Sequence, residues 1–158
     1  MHTLIKPHHF LDLLYEVDLY DGCFPGFHPY GHQMGRIGNL LVAGEVDTVI
    51  FTAKADDGCG PDCVKLKNGR CTDVFSPEEE EVYGYDSKLL YSYVMDTGLA
   101  EALPEVFVFG IERSLEYVLD ELKCRLSQKL LDICWPRPDR MAHTERGIER
   151  IKKAIKDS

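Results

Sequence analysis

Cys59, Cys63 and Cys71 stand at i, i+4 and i+12 in the segment Gly58-Cys59-Gly60-Pro61-Asp62-Cys63, which continues to Asn68-Gly69-Arg70-Cys71. Three thiols this close in a reducing compartment point to metal ligation, because disulfides do not persist there. The segment is polar, with Asp56, Asp57, Asp62, Lys65, Lys67 and Arg70, so three unrelated small core residues are the poorer explanation. Gly58, Gly60 and Pro61 let the chain turn tightly and aim backbone N–H groups at a ligand, as sulfur clusters require. Asn68-Gly69 is a second turn, which brings Cys71 back toward the first pair.

Tetrahedral zinc and a four-iron cluster both take four protein ligands in their closed forms. The fourth here is Cys23, Cys134 or a histidine. Cys23 lies in a loop that must climb back toward the site. Cys134 follows an apparently unbroken helix, which would place it ~30 Å away. Cys124 reads as a packed helix residue. His8 and His9 would open a helix at a strand end, where the partial positive charge favours neutral imidazole, fit to bind metal or move protons. His28 and His32 are weaker candidates in a loop, and His2 and His143 read as surface residues. Asp56 and Asp57 are turn caps or, less simply, partners of the site. The spacing lacks the C-x-x-C redox pattern, which sets a metal-free thiol redox protein behind the metal readings.

Several elements must position these groups. Thr3–Lys6 is a short extended candidate. Pro7 opens a helix to about Val17, with Phe10, Leu13, Leu14 and Val17 on one face. Residues 20–32 form a loop rich in Gly, Pro, aromatics and His. A helix over Gln33–Ala43 closes at Gly44. Val46–Lys54 is a buried strand, and residues 55–75 hold the cysteine loop. Ser76-Pro77-Glu78-Glu79 predicts a capped helix to Gly84. The next helix, capped by Asp86, puts Leu89, Leu90, Tyr93 and Val94 inward and ends at Gly98. Pro104–Phe109 predicts a third buried strand. One long helix follows over Ile111–Ile133, and a last one over His143–Lys156. Strands separated by helical crossovers predict a small three-layer α/β domain with about three parallel strands flanked by helices. Its ligand would sit at the C-terminal strand ends. There the pattern gathers His8, His9, the cysteine loop and Gly110.

A chain of 158 residues, 44% hydrophobic and 28% charged, suits one domain spanning 1–158. No apolar run reaches the roughly 18 residues needed to cross a bilayer. The N-terminus lacks the pattern of a secretion signal, so the expected location is cytoplasmic. A net charge of −9 argues against a nucleic-acid backbone as partner. The basic residues from Arg137 to Lys156 alternate with acids and read as a solvated helix face.

Ile5-Lys6-Pro7-His8-His9-Phe10-Leu11-Asp12, Asp56-Asp57-Gly58-Cys59 with Cys63, Asn68-Gly69-Arg70-Cys71 and Ile133-Cys134-Trp135 together resemble a family of uncharacterised prokaryotic proteins. Members carry L-R-P-H-H-L-L-C and D-D-x-C-x-x-C motifs and are described as iron–sulfur binding. The resemblance covers most of the chain in short islands. It departs at Asp12, where members have cysteine, in the extra residue between Cys59 and Cys63, and in a C-terminal segment reduced to Cys134. The resemblance implies an iron–sulfur cluster, a four-iron one by the ligand count. It also raises Cys134 as a ligand against the helix geometry, adds weight to the His8-His9 pair, and implies no known reaction. The expected function is a cluster protein in one of two forms. An open iron would serve a small-molecule substrate, with His8 and His9 as tentative catalytic groups. A fully ligated cluster would serve a redox partner protein. The alternative is a structural zinc domain acting as an adaptor module.

Overall fold

The computed structural model describes residues 1–25 and 28–158. Its secondary structure is helical with a small mixed sheet. Strand β1 (His2–Ile5) leads through Lys6 into helix α1 (Pro7–Leu19), whose first residue is the predicted proline. Helix α2 (Met34–Val42) follows, then β2 (Thr48–Phe51). β1 and β2 pair in parallel, with Thr3 opposite Val49 and Ile5 opposite Phe51.

The predicted third parallel strand is not there. Residues 104–109 wind into turns at the end of α4 (Lys88–Ala102), where the N–H groups of Val106 and Phe107 both donate to Leu103 O. Their backbone joins the sheet through a single parallel bridge, between Phe51 and Phe109, while the Phe107 ring packs on Phe51. Val106 and Phe107 are fully buried, so this apolar run fills the core without building a ladder. The chain turns at Gly110, and Glu112–Ser114 then lies antiparallel to β2 as the third strand. The sheet is therefore mixed, with β1 and β2 parallel and the third strand antiparallel to β2.

The predicted helix over Ile111–Ile133 is likewise divided. Ser114 caps a helix over Leu115–Arg125, and Ser127 caps a single turn over Gln128–Leu131. Each serine oxygen accepts the N–H three residues on, and Leu126 between them is extended. The apolar spacing runs through the break because Leu130 and Leu131 are buried just as Leu119 and Leu122 are. With the helix broken, the length argument against Cys134 no longer applies.

Two local predictions hold in detail. Leu66–Lys67 (β3) and Arg70–Cys71 (β4) form a hairpin around Asn68-Gly69, both at positive φ as a two-residue turn of this kind demands. Helix α3 (Pro77–Tyr83) carries the full capping box between Ser76 and Glu79.

The face of α4 is the reverse of that predicted. Ser92, Met95, Asp96 and Leu99 are buried, whereas Leu90, Tyr93 and Val94 are exposed. Ser87 caps this helix in place of Asp86, and Gly98 lies inside it.

The last helix, at Arg140–Asp157, crosses α1 through Gly147. A methyl group there would overlap the backbone of Leu14. We expect Gly147→Ala to cost about 3 kcal/mol, at the upper end for overpacking, because backbone must move on both helices. A lowered urea midpoint at unchanged slope is the readout, and a midpoint like the wild type's would show that the crossing gives way easily. Among the described residues, no helix is long and apolar enough to cross a membrane.

Candidate functional site

Cys59, Cys63 and Cys71 line one cavity of about 240 Å³, together with His8, His9, His28 and His32. Different elements bring them there. The Asn68-Gly69 hairpin carries Cys71 back, pairing it with Leu66. The loop before α2 clasps the cysteine segment through Gln33 N–H to Gly58 O (2.6 Å) and Val64 N–H to Tyr30 O (2.8 Å). Gly58 packs against Met34, and any side chain at that position would collide with the Met34 sulfur.

The two histidines are each held from behind by a buried carboxylate. Asp96 Oδ1 accepts both the backbone N–H of His8 (2.9 Å) and His8 Nδ1–H (2.8 Å). Asp56 Oδ2 lies 2.7 Å from His9 Nδ1 and accepts Lys6 N–H at 2.9 Å. Its other oxygen accepts the Cys59 N–H at 3.0 Å. In both cases Nδ1 is taken and Nε2 is left for the cavity, the arrangement that orients metal-binding and proton-transferring imidazoles. Asp56 therefore joins three parts of the site, at Lys6, His9 and Cys59. Asp57 instead secures β1, accepting from Leu4 N–H (2.6 Å) and the Thr3 hydroxyl (3.2 Å).

The neighbouring histidines titrate in opposite directions. Burial and the adjacent His9 pull His8 down, against the support of Asp96, so His8 is neutral with a free lone pair on Nε2. Burial also pulls on His9, but the charge and hydrogen bond of Asp56 outweigh it and His9 rises. Adjacent groups driven apart in this way supply a base and an acid at one pH. Burial and Asp56 push the Cys59 thiol up to about 11. It is thus protonated near neutrality, a poor free nucleophile, and metal uptake there must release its proton.

Three lysines face the same space. Lys65 and Lys88 both reach Asp73, at 3.6 and 2.7 Å. Lys6 is 3% exposed, and its ammonium makes no ion pair among the described residues. The donor set is therefore three soft thiols and imidazole nitrogen, in a cavity with cationic walls. That set fits a thiolate-bound, net-negative group. Among the described residues, no three His, Cys, Asp or Glu side chains stand close enough to hold a single ion.

Of the residues expected as a fourth ligand, Cys23 is exposed and Cys134 is buried in the hydrophobic core. Neither lines the thiol cavity. Cys134 borders a neighbouring cleft, and burial pushes its thiol up to about 12. Cys124 is exposed, not packed. His28 and His32 stack at 3.7 Å, and both line the cavity. His2 is exposed, whereas His143 is tied to Asp18 at 2.8 Å and belongs to a helix-linking ion network. Of the loop at 20–32, Gly26 and Phe27 lie outside the described residues.

Sequence reasoning missed Asp96, Lys6 and Trp135. Trp135 walls the cavity, sets its ring edge-on to His8 at 5.8 Å, and donates from Nε1 to Asp12 at 3.0 Å. A signal for Asp96 was present in an aspartate between Met95 and Leu99, on a helix with two candidate apolar faces.

Set against known proteins, the chain matches no family model, no curated protein and no solved structure.

Proposed function

We propose that the protein binds an iron–sulfur cluster, of the four-iron type, through Cys59, Cys63 and Cys71, leaving one iron without a cysteine ligand. The observation that carries this reading is that three thiols share one cavity which neither Cys23 nor Cys134 lines. A cluster accepts thiolates that stand farther apart than those around a single ion, which agrees with the absence of a mononuclear site among the described residues. When bound, an iron lacking a protein thiolate supplies a Lewis-acid position for a small molecule. His8, neutral at Nε2, would take a proton there, and the more basic His9 would give one. A cluster whose fourth iron is held by His8, His28 or His32 would serve electron transfer to a redox partner protein instead.

The second reading is a structural zinc site completed by one of these histidines, since three thiolates and one imidazole form an ordinary zinc set. The domain would then act as an adaptor.

Protein purified without oxygen should contain iron and acid-labile sulfide in equal amounts and absorb broadly in the visible. Cys59→Ala, Cys63→Ala and Cys71→Ala should each abolish this absorption, while Cys23→Ala and Cys134→Ala keep it. Loss of the cluster in either of the last two would remove the open iron. Zinc without sulfide would establish the structural reading.

A further inference from the structure

Beside the thiol cavity lies a larger one of about 470 Å³, within the size range of small-molecule sites. His9, His32, Met34 and Trp135 border both. Helix α1 supplies one wall through His9, Asp12 and Glu16, a polar stripe at i, i+3 and i+7 opposite its apolar face. The first turn of α2 supplies another through Met34, Gly35 and Arg36.

The charges in this second cavity do not cancel. Asp12 is neutralised from behind by Arg140, whose Nη2 lies 2.8 Å from its carboxylate. Arg137 stands 3.6 Å from Asp12 and 3.4 Å from Glu16, longer than a good hydrogen bond in both directions, so its fork has donors to spare. Burial and the nearby Asp12 push Glu16 up to about 7, which removes much of its opposing charge at neutral pH. Arg36 makes no ion pair among the described residues, and α2 begins without a side-chain cap. The charge of Arg36 is left unbalanced, and with it part of that of Arg137, in a chain of net charge −9. The remaining wall is mixed, with the aromatic rings of Tyr20, Phe24 and Trp135 on one part and His28, His32 and Gln33 on the other.

We propose that this cavity binds a small organic monocarboxylate with an apolar body, its carboxylate held by Arg36 and Arg137 and its body against Phe24 and Trp135. A planar guanidinium matches a carboxylate with two parallel hydrogen bonds. The carboxylate answers the charge of Arg36, and the body gains the aromatic surface of Phe24 and Trp135, which inorganic phosphate has no apolar group to use. The ligand reaches the thiol cavity past His9, and its role as substrate there rests on the cluster reading above; the binding itself does not.

The test is titration of the full chain, with and without reconstituted iron and sulfide, by calorimetry with benzoate, hexanoate and inorganic phosphate. Both carboxylates should bind in either state, and phosphate should bind far more weakly. Arg36→Gln should lose roughly tenfold or more in affinity, the worth of one charged hydrogen-bonded pair. Arg125→Gln, on the surface outside the cavity, should bind as the wild type does. Arg36 is exposed, so its replacement should leave the melting temperature unchanged. Failure of both carboxylates to bind, phosphate binding equal to theirs, or wild-type affinity in Arg36→Gln would each overturn the proposal. Carboxylate binding by a chain that takes up no iron would sustain this site and remove the cluster reading. Iron uptake without carboxylate binding would do the reverse.

Discussion

Replacement of Asp56 by alanine should destabilise the protein by about 3–5 kcal/mol, the cost of orphaning a buried ionic partner. The carboxylate is buried and accepts three donors at once, Lys6 N–H, Cys59 N–H and His9 Nδ1. Alanine leaves all three without a partner in a place water reaches poorly. Asparagine preserves the shape and one acceptor, so Asp56→Asn should lose roughly half as much, keeping either the oxygen that serves Lys6 N–H and His9 Nδ1 or the one that serves Cys59 N–H, and losing the charge.

The pH dependence separates the ion pair from ordinary hydrogen bonding. Burial pushes the Asp56 carboxyl up, but His9 and the Lys6 N–H outweigh it and hold it well below the usual carboxylate range. A depressed acid contributes stability above its unfolded value of about 4 and loses it as pH falls through the folded value. His9 is raised, so its contribution is complete below its unfolded value of about 6.5 and fades as pH rises through the folded value. The difference in stability between wild type and Asp56→Asn should therefore be greatest between about pH 4 and 6.5 and shrink on either side. Denaturant melts across that range measure it, and a flat difference up to pH 9 would mean that no charge is carried by His9. Because the Cys59 N–H hangs on the same carboxylate, both variants should also bind the proposed cluster more weakly.

The parts of this protein that sequence discloses are those settled by neighbours along the chain. Ser76, Pro77 and Glu79 fix the start of α3 among themselves, and Asn68-Gly69 closes its hairpin with no help from elsewhere. That Cys59, Cys63 and Cys71 line one cavity was legible for the same reason, since all three lie in one short turn-rich loop. The face of α4 was not. Its apolar residues allow two orientations, and the choice falls to Asp96, which must reach a histidine 88 positions earlier in the chain. The rule that apolar residues turn inward fails there because a buried polar group is bound to its partner, and such failures gather at functional sites. The long helix was misread for a subtler reason. The apolar repeat persists through Leu126 and Ser127, so only the capping chemistry of two serines records the break. That break carries Trp135 to the wall of the thiol cavity.

Arg140→Met should cost about 3–5 kcal/mol as well, because Arg140 is one half of a buried ion pair. Here the Asp12 carboxylate is buried and accepts from Arg140 Nη2 (2.8 Å) and Trp135 Nε1 (3.0 Å), while Arg140 Nη1 donates to Trp135 O at 3.2 Å. Burial pushes the Asp12 carboxyl up, but Arg140 and Arg137 outweigh it, so it stays charged. Arg140 also lies over the Tyr15 ring at 5.8 Å. Removing either partner alone strands a buried charge. Asp12→Cys should therefore destabilise the protein by a similar amount, because Arg140 remains. Replacing both, as in Asp12→Leu with Arg140→Met, should recover most of the loss, since an apolar pair of like volume often does as well as a buried ion pair. The double-mutant cycle should give a coupling of about 2–3 kcal/mol, and additive losses would show that the two residues act independently. The network also holds Trp135 against both cavities. The double variant should then regain stability yet bind the proposed cluster less tightly than wild type, with altered indole fluorescence. That outcome would separate what the ion pair does for the fold from what it does for the site, because a leucine at position 12 can fill the space but cannot accept the Trp135 N–H.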